Sequence, residues 1–236
     1  MQLIHMSSTC ADGNMSFRYG ERHVVLDNRV RFLSRLGVAI DDCVSMSLEH
    51  GVRCVTVTAK DTKRGMVTAD GIPADCFITT EPNVFLFLYT ADCLPVSIYA
   101  PAQNLVALAH LARKNAELQF VDQIIQIIAT TSGSLPSKLQ VTIGPGIHRE
   151  SYRLPLSAVR INYEVWGAQA AQGNTEVTLD LPGLVVRQLQ QAGVAPENIT
   201  CSPVNTATSR DYFSHYRSAR SREPEARFAT VIGFKN

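Results

Sequence analysis

Two short apolar segments joined by a brief turn constrain the fold of this chain more than any other feature of its sequence. Pro95–Tyr99 and Leu105–Ala109 are strand-length and rich in Val, Ile and Leu, and Ala100–Asn104 between them carries Pro101. Apolar runs of this length on either side of a short polar turn predict a β-hairpin.

The register of this hairpin brings a cysteine and a histidine together. Antiparallel partners keep a constant sum of residue numbers, so pairing Tyr99 with Leu105 places Cys93 close to His110 at the open end, with Cβ atoms about 5 Å apart. A thiol beside an imidazole can form an activated nucleophile or part of a metal site such as zinc. The alternative is that both residues only pack.

A metal site needs a further ligand, and His50 is the leading candidate because it directly precedes a strand-like run at Val52–Thr58. Two imidazoles and one thiolate leave one tetrahedral position free for water or substrate. That pattern is typical of catalytic zinc sites rather than structural ones.

The other elements favour an α+β fold. Amphipathic helices are predicted at Asn115–Thr131 and Leu181–Ala192, and a helical stretch at Asn28–Leu36 ends at Gly37. Further strand-like runs lie at Cys76–Thr79, Val84–Tyr89, Leu139–Ile143, Ile199–Cys201 and Phe228–Ile232. Because strands and helices do not alternate regularly, we expect one domain over residues 1–236, with mixed β-sheets and flanking helices. Gly144-Pro145-Gly146 is predicted to form a turn with exposed backbone amides.

Composition limits the possible partners. The 236 residues are 45% hydrophobic, enough for a sizeable core, and the formal net charge of +1 provides no field that would attract nucleic acid or a membrane surface. No apolar run reaches the roughly 18 residues of a membrane span, and Met1–Cys10 lacks the pattern of a secretory signal. We therefore expect a cytoplasmic monomer or homodimer with a small-molecule substrate and six reduced cysteines.

Several motifs along the chain resemble those of the YfiH family, also called the multicopper polyphenol oxidase or laccase-domain family. The most specific is Thr90–Val96, which matches T-A-D-C-L-P-V. The others are Gly13–Arg18 (G-N-[LM]-S-x-R), Glu49-His50-Gly51 (Q-V-H-G), Ala74-Asp75 with Thr79 (A-D-A-L-V-T), Gly144–Ile147 with Tyr152 (G-P-x-I and a downstream Tyr), Cys201-Ser202 (C-T) and Phe213–Arg217 (F-F-S-x-R-R).

The resemblance implies an α+β fold with one zinc ion bound by His50, Cys93 and His110. It also implies purine nucleoside chemistry: phosphorolysis of adenosine, inosine and methylthioadenosine, and deamination of adenosine. The laccase name implies copper and phenol oxidation instead, and the Cys–His pair has led to a grouping with cysteine hydrolases.

The chain departs from the family pattern next to the expected site. Where the family has H-A-G-W-R-G, this chain has His110-Leu111-Ala112-Arg113-Lys114-Asn115, so the tryptophan and both glycines are absent. Lys114 replaces an arginine, and a lysine binds phosphate as a point charge rather than as a fork. Leu48 replaces the glutamine of Q-V-H-G, and Tyr216 stands where the family has an arginine.

These patterns define the candidate site. The predicted catalytic residues are Cys93, His110, Asp92, Lys114 and Arg18, and the predicted substrate-binding residues are Arg113, Cys201, Phe213 and Arg217. Asp92 could orient a ligand, transfer a proton or simply cap a turn. The segment Arg210–Arg227 interleaves arginines with aromatic residues, a mixture that could stack a base and bind phosphate or form a solvated face.

The sequence therefore predicts a zinc-dependent enzyme that processes purine nucleosides by phosphorolysis, with deamination as a possible second reaction. Three alternatives stay open: a thiol hydrolase that uses Cys93 and His110, a copper-dependent polyphenol oxidase, and a catalytically weakened paralogue that binds nucleosides. A multinuclear copper site would need more closely grouped ligands than six histidines and six cysteines readily supply.

Overall fold

The computed structural model describes residues 1–236, with fourteen strands and six α-helices. The strands are β1 (Gln2–Ser7), β2 (Cys43–Ser47), β3 (Cys54–Thr56), β4 (Ile72–Pro73), β5 (Cys76–Thr79), β6 (Phe85–Thr90), β7 (Leu94–Ala100), β8 (Leu105–Leu111), β9 (Gln140–Ile143), β10 (Arg153–Pro155), β11 (Ala170–Gln172), β12 (Glu176–Leu179), β13 (Ile199–Cys201) and β14 (Phe228–Lys235). The helices are α1 (Arg22–Arg35), α2 (Arg113–Glu117), α3 (Phe120–Ser132), α4 (Tyr163–Trp166), α5 (Leu181–Gln191) and α6 (His215–Ser218). None of them combines the length and the apolar character of a membrane-crossing helix.

Two large mixed sheets pack face to face. One has the strand order β1-β14-β6-β2-β4 and the other has the order β13-β9-β7-β8-β5-β3. Buried side chains from both sheets fill the space between them, among them Leu86, Phe77, Leu108 and Ile232. A third, small sheet has the order β10-β12-β11.

Helices cover the outer face of each large sheet. Phe32 and Leu33 of α1 pack on the five-stranded sheet, and the apolar stripes of α3 and α5, including Ile124 and Leu184, pack on the six-stranded sheet. The molecule therefore has four layers, with helices outside and two sheets inside. The predicted α+β architecture of mixed sheets and flanking helices is confirmed.

The predicted hairpin is present as β7 and β8, but its register differs by one residue. Ala100 pairs with Leu105, whereas the sequence predicted that Tyr99 would. The difference arises in the turn, where Pro101–Gln103 form a short 3-10 helix and Asn104 has a left-handed backbone with φ of 47°. This compact turn lets the ladder extend one residue further than expected.

The corrected register changes how the thiol and the imidazole meet. His110 faces Pro95 across the ladder, and Cys93 lies just before β7, outside the paired residues. The two side chains are therefore brought together by the turn that precedes β7 and not by direct cross-strand pairing.

The segment predicted as one helix over Asn115–Thr131 forms two, α2 and α3. The break lies at Gln119, which adopts a left-handed backbone with φ of 56°. The change of direction lets Phe120 and Val121 join the buried stripe of α3. Buried Asn115 also has a local role, because its side chain accepts from the N–H of Ala112 at 2.8 Å and donates to the carbonyl of His110 at 2.8 Å.

The Gly-Pro-Gly turn supports the segment before β7, and its amides are not exposed as the sequence predicted. The N–H of Gly144 donates to the carbonyl of Pro95 at 2.8 Å, and that of Ile147 donates to the carbonyl of Asp92 at 2.9 Å. A Cβ at Gly146 would lie 3.0 Å from the same Asp92 oxygen, so a glycine is needed where the two backbones approach.

The left-handed residue between α2 and α3 gives a prediction about stability. Gln119→Gly should stabilise the protein by up to about 1 kcal/mol, because glycine adopts φ of 56° without the steric cost that a Cβ imposes. The measurement is the free energy of unfolding from urea denaturation.

The same substitution inside α3 is the matched control. Gln126 is exposed and helical, so Gln126→Gly should destabilise by about 1 kcal/mol. Equal destabilisation by both variants would contradict the assignment of strain to Gln119.

Candidate metal centre

Three side chains from distant parts of the sequence form the candidate site. His50 lies in the loop before β3, Cys93 in the turn between β6 and β7, and His110 on β8. Their ligand atoms all lie within 4.8 Å of one another, and the two imidazole rings meet edge to face with centroids 4.8 Å apart. His50 is exposed, Cys93 half-buried and His110 buried, so the group lies at the end of the sheet with one side open.

A single buried carboxylate, that of Asp75, positions both histidines. Its Oδ1 accepts from Nδ1 of His110 at 2.8 Å and from the N–H of His50 at 3.1 Å, and its Oδ2 accepts from the N–H of Gly51 at 2.8 Å. These bonds hold His50 in a left-handed conformation with φ of 58°. Because Nδ1 of His110 carries the proton shared with Asp75, Nε2 is left to face the site.

The lowered pKa of Asp75 is consistent with its role in positioning the two histidines. Burial raises the pKa of its carboxyl group, but the hydrogen bond from His110 and those from the backbone outweigh burial and lower the pKa overall. Sequence reasoning did not include Asp75 among the site residues. The available signal was the family motif Ala74-Asp75 with Thr79, which was not assigned a role and which places an acidic residue directly before a buried strand.

Asp92 ties a later segment of the chain to the turn that carries Cys93. Its Oδ1 accepts from the hydroxyl of Thr206 at 2.6 Å, and its Oδ2 accepts from the N–H of Tyr216 at 2.6 Å. Asp92 is buried and left-handed, with φ of 76°. Of the roles considered from the sequence, these hydrogen bonds correspond to Asp92 stabilising the turn. They also place Tyr216 beside the donors.

Cys93 and His110 shift each other's proton affinity. Burial raises the pKa of the Cys93 thiol, but the charge and hydrogen bonds of His110 and His50 lower it to about 6. Burial lowers the pKa of His110, whereas Cys93 and Asp75 raise it to about 9. Each of the two residues therefore favours the charged form of the other.

A cavity of about 300 Å³ opens beside the three donors. Its volume is at the lower end of the range for small-molecule sites. Apolar and aromatic side chains form most of its wall, and three cations lie at its rim. The wall includes Ile147, Tyr152, Leu154, Leu181 and Tyr216, and the cations are Arg113, Lys114 and Arg220.

The three cations differ in their partners. Arg113 is within 3.3 Å of the Glu117 carboxylate, whereas Lys114 is exposed and makes no ion pair. The guanidinium of Arg220 lies 3.5 Å from the ring centroid of Tyr216, a cation–π contact that holds it over the aromatic wall. The rim is therefore electropositive, and Lys114 and Arg220 are available to an anion.

The structure does not bring four of the predicted residues to this cavity. Arg217 donates to the carbonyls of Thr206, Ser209 and Tyr212 and pairs with Glu223, so its guanidinium is engaged within the protein. Arg18 is exposed and lies 5.5 Å over the ring of Tyr19. Cys201 is exposed on the edge strand β13, and Phe213 lines a separate depression with Cys10 and Arg217.

Other cavity residues were missed or only partly indicated by the sequence. Tyr152 is part of the family resemblance but was not assigned a role, and burial raises the pKa of its phenol. Tyr216 and Arg220 belong to the segment of interleaved arginines and aromatic residues. That composition indicated stacking and anion binding without showing which of its residues face the site.

The fold and the His-Cys-His group together define a mixed α/β protein of the YfiH class, with one cluster of potential metal ligands at the mouth of a cavity. The chain belongs to the family described as multi-copper polyphenol oxidoreductase laccase, whose family model matches residues 5–235. The family resemblance inferred from the motifs is thereby confirmed.

Named relatives and a solved structure are similar over nearly the whole chain. The purine nucleoside phosphorylase YlmD of Bacillus subtilis is 29% identical over 224 residues, covering 89% of this chain and 77% of that protein. The protein of the same name from Geobacillus stearothermophilus is 31% identical, covering 93% of this chain and 82% of that protein. The crystal structure of the hypothetical protein YfiH of Bacillus licheniformis superposes with a TM-score of 0.89 at 25% identity, covering 99% of this chain and 93% of that one.

The role of Asp75 gives a prediction about metal binding. Asp75→Asn should weaken the affinity for Zn²⁺ by about 10- to 100-fold, because the amide no longer fixes the tautomer and orientation of His110. Calorimetric titration with Zn²⁺ measures the effect. Glu49→Gln is the control, since Glu49 is an exposed acid beside His50 and should change the affinity little. Equal affinities of the Asp75→Asn and wild-type proteins would contradict the role of Asp75.

The lowered pKa of Cys93 gives a prediction about pH. In chelator-treated protein, the alkylation rate of Cys93 by iodoacetamide should fall about tenfold per pH unit below pH 6, where the thiol becomes protonated, and should level off above it. Cys201, whose pKa is raised, is the internal control, and its rate should still increase above pH 9. Peptide mass spectrometry separates the two sites, and a Cys93 midpoint near that of Cys201 would show that the histidines do not stabilise the thiolate.

Proposed function

We propose that this protein is a zinc-dependent enzyme that cleaves purine nucleosides with phosphate. The observation that carries the proposal is that His50 and Cys93, grouped with buried His110, line a cavity whose wall also contains aromatic residues and cations. Purine bases stack on aromatic rings, and phosphate binds to unpaired cations. The names of the relatives support the same reaction class.

The donor set fits zinc. Thiolate and imidazole are usual zinc ligands, and three protein ligands are typical of a catalytic site. Tetrahedral ligands lie about 3.5 Å apart. The three donors, all within 4.8 Å of one another, are therefore close to the spacing that one zinc ion needs, and His50 is the exposed member of the group. A multinuclear copper cluster fits less well, because the structure contains only this one group of three potential ligands. Bound zinc would supply a Lewis acid that polarises an oxygen ligand.

The residues around the donors have distinct proposed roles. Lys114 and Arg220 bind phosphate, and Arg113 adds charge while paired with Glu117. Tyr216 offers a ring for the base, and Ile147 and the other apolar wall residues exclude water. Four of the residues predicted from the sequence have only a supporting role in this proposal, because they lie outside the cavity: Arg18, Cys201, Phe213 and Arg217.

In the proposed reaction, a phosphate oxygen attacks C1′ of the nucleoside and the bond to the base breaks. The base leaves with the electron pair and takes up a proton, and the products are free base and ribose-1-phosphate. The rim cations hold the nucleophile close to C1′, which lowers the entropic cost of the attack. Deamination of adenosine, with water replacing the amino group, is a second reaction that the same cavity could accommodate.

One observation favours a second candidate, a thiol hydrolase. Cys93, His110 and Asp75 have the relationship of nucleophile, base and orienting acid, with a thiol pKa of about 6. This mechanism requires no metal. Chelation should therefore leave hydrolase activity intact, whereas alkylation of Cys93 should abolish it.

The test of the proposal is product analysis after incubation with adenosine or inosine, with and without phosphate. Zinc-loaded protein should release free base and ribose-1-phosphate only when phosphate is present, and chelation should remove the activity. Inosine formed from adenosine would show deamination. No turnover by folded, zinc-loaded protein would refute the proposed activity and favour a nucleoside-binding paralogue.

A variant at the rim tests the phosphate site. Lys114→Met should raise the KM for phosphate by about 10-fold or more, because a charge-assisted hydrogen bond is lost. The KM for the nucleoside should change less. Lys138→Met is the matched control, since Lys138 is an exposed lysine that does not line the cavity. An unchanged KM for phosphate would remove Lys114 from the proposed phosphate site.

A further inference from the structure

Two cysteines outside the candidate metal centre face each other across neighbouring strands. Cys54 on β3 and Cys76 on β5 are direct partners in a parallel ladder, whose strands lie roughly 5 Å apart. Both side chains point toward the helices: Cys76 belongs to the core beneath α3 and α5, and Cys54 packs against that core. Disulfides form between residues with Cα atoms about 4.4 to 6.8 Å apart, so the pair satisfies the main distance requirement.

The two thiols have unequal environments. β3 is the edge strand of the six-stranded sheet, and Cys54 is only half-buried, whereas Cys76 is buried. The neighbouring Cys76 thiol lowers the pKa of Cys54, and burial raises the pKa of Cys76. An accessible, more acidic thiol beside a protected second thiol is the arrangement found in reversible thiol oxidation.

We propose that Cys54 and Cys76 form a reversible intramolecular disulfide by exchange with a low-molecular-weight disulfide such as oxidised glutathione. The Cys54 thiol loses its proton, and the thiolate attacks one sulfur of the oxidant to form a mixed disulfide. The S–S bond of the oxidant breaks, and the glutathione thiolate that leaves takes up the proton. Cys76 loses its proton and attacks the Cys54 sulfur, releasing the second glutathione. The two protein thiols are oxidised by two electrons in total, and one glutathione disulfide is reduced to two thiols.

The cross-link joins the segment that carries His50 to the segment that carries Asp75. Cys76 directly follows Asp75, and Cys54 lies four residues after His50. The carbonyl of Arg53 already accepts from the N–H groups of Asp75 at 2.9 Å and Cys76 at 3.1 Å. A disulfide would add a covalent bond beside these hydrogen bonds and hold the His50 loop against Asp75. The oxidised protein should therefore unfold at a higher temperature than the reduced protein.

The test is to equilibrate zinc-loaded protein in glutathione buffers of increasing oxidised fraction, block free thiols and map the peptides by mass spectrometry. A peptide pair linked through Cys54 and Cys76 should accumulate, lighter by two hydrogens, and should disappear with dithiothreitol. Persistence of both residues as free thiols in fully oxidising buffer would overturn the proposal. So would a link from either residue to Cys93.

Two variants test the order of the steps. Cys76→Ser should trap glutathione on Cys54 as a mixed disulfide, because the second thiol is missing. Cys54→Ser should neither cross-link nor acquire glutathione at buried Cys76. Cys201→Ser is the control and should cross-link like the wild type, since Cys201 lies on the opposite edge strand of the same sheet. Glutathione on Cys76 in the Cys54→Ser protein would overturn the assigned order.

Discussion

The candidate site depends on the hydrogen bonds that the buried carboxylate of Asp75 accepts. It accepts hydrogen bonds from the ring of His110 and from the backbone of His50 and Gly51, so one side chain sets the position of two potential ligands. A buried charge is costly unless its hydrogen-bonding capacity is satisfied, and here the donors that satisfy it also carry the chemistry. The same hydrogen bonds therefore stabilise this part of the fold and set the geometry of the site.

The cationic rim shows how this chain differs from its family pattern without losing its charge. The family arginine at the position of Tyr216 is absent, but Arg220 lies over the ring of Tyr216, one helical turn later. Lys114, which also lines the cavity, retains a positive charge where the family has an arginine. An aromatic surface has therefore replaced one cation while another cation remains at the rim. Such a change is expected to alter how the substrate is oriented more than whether an anion is attracted.

The sequence predicted the architecture because it depends on local patterns. It grouped His50, Cys93 and His110 from the open end of one hairpin and from the family motifs, and the structure places their ligand atoms within 4.8 Å of one another although the hairpin register differs. It did not predict Asp75 as a site residue, since its partners reach it from both sides of β5: His110 through the antiparallel ladder with β8, and the His50 loop through the parallel ladder with β3. No nearby turn specifies either pairing. The break at Gln119 was missed for a similar reason. Its left-handed backbone is imposed by packing of α3 on the sheet and not by a glycine. The register error came from the 3-10 turn at Pro101–Gln103, which periodicity does not reveal.

The position of β14 has a consequence for how the protein is made. This strand, Phe228–Lys235, lies between β1 and β6, so β1 has no sheet partner until residues far later in the sequence have been synthesised. Until then β1 and one edge of β6 offer unpaired backbone groups to other chains. We therefore expect a chain that ends before β14 to be more prone to aggregation than the whole chain.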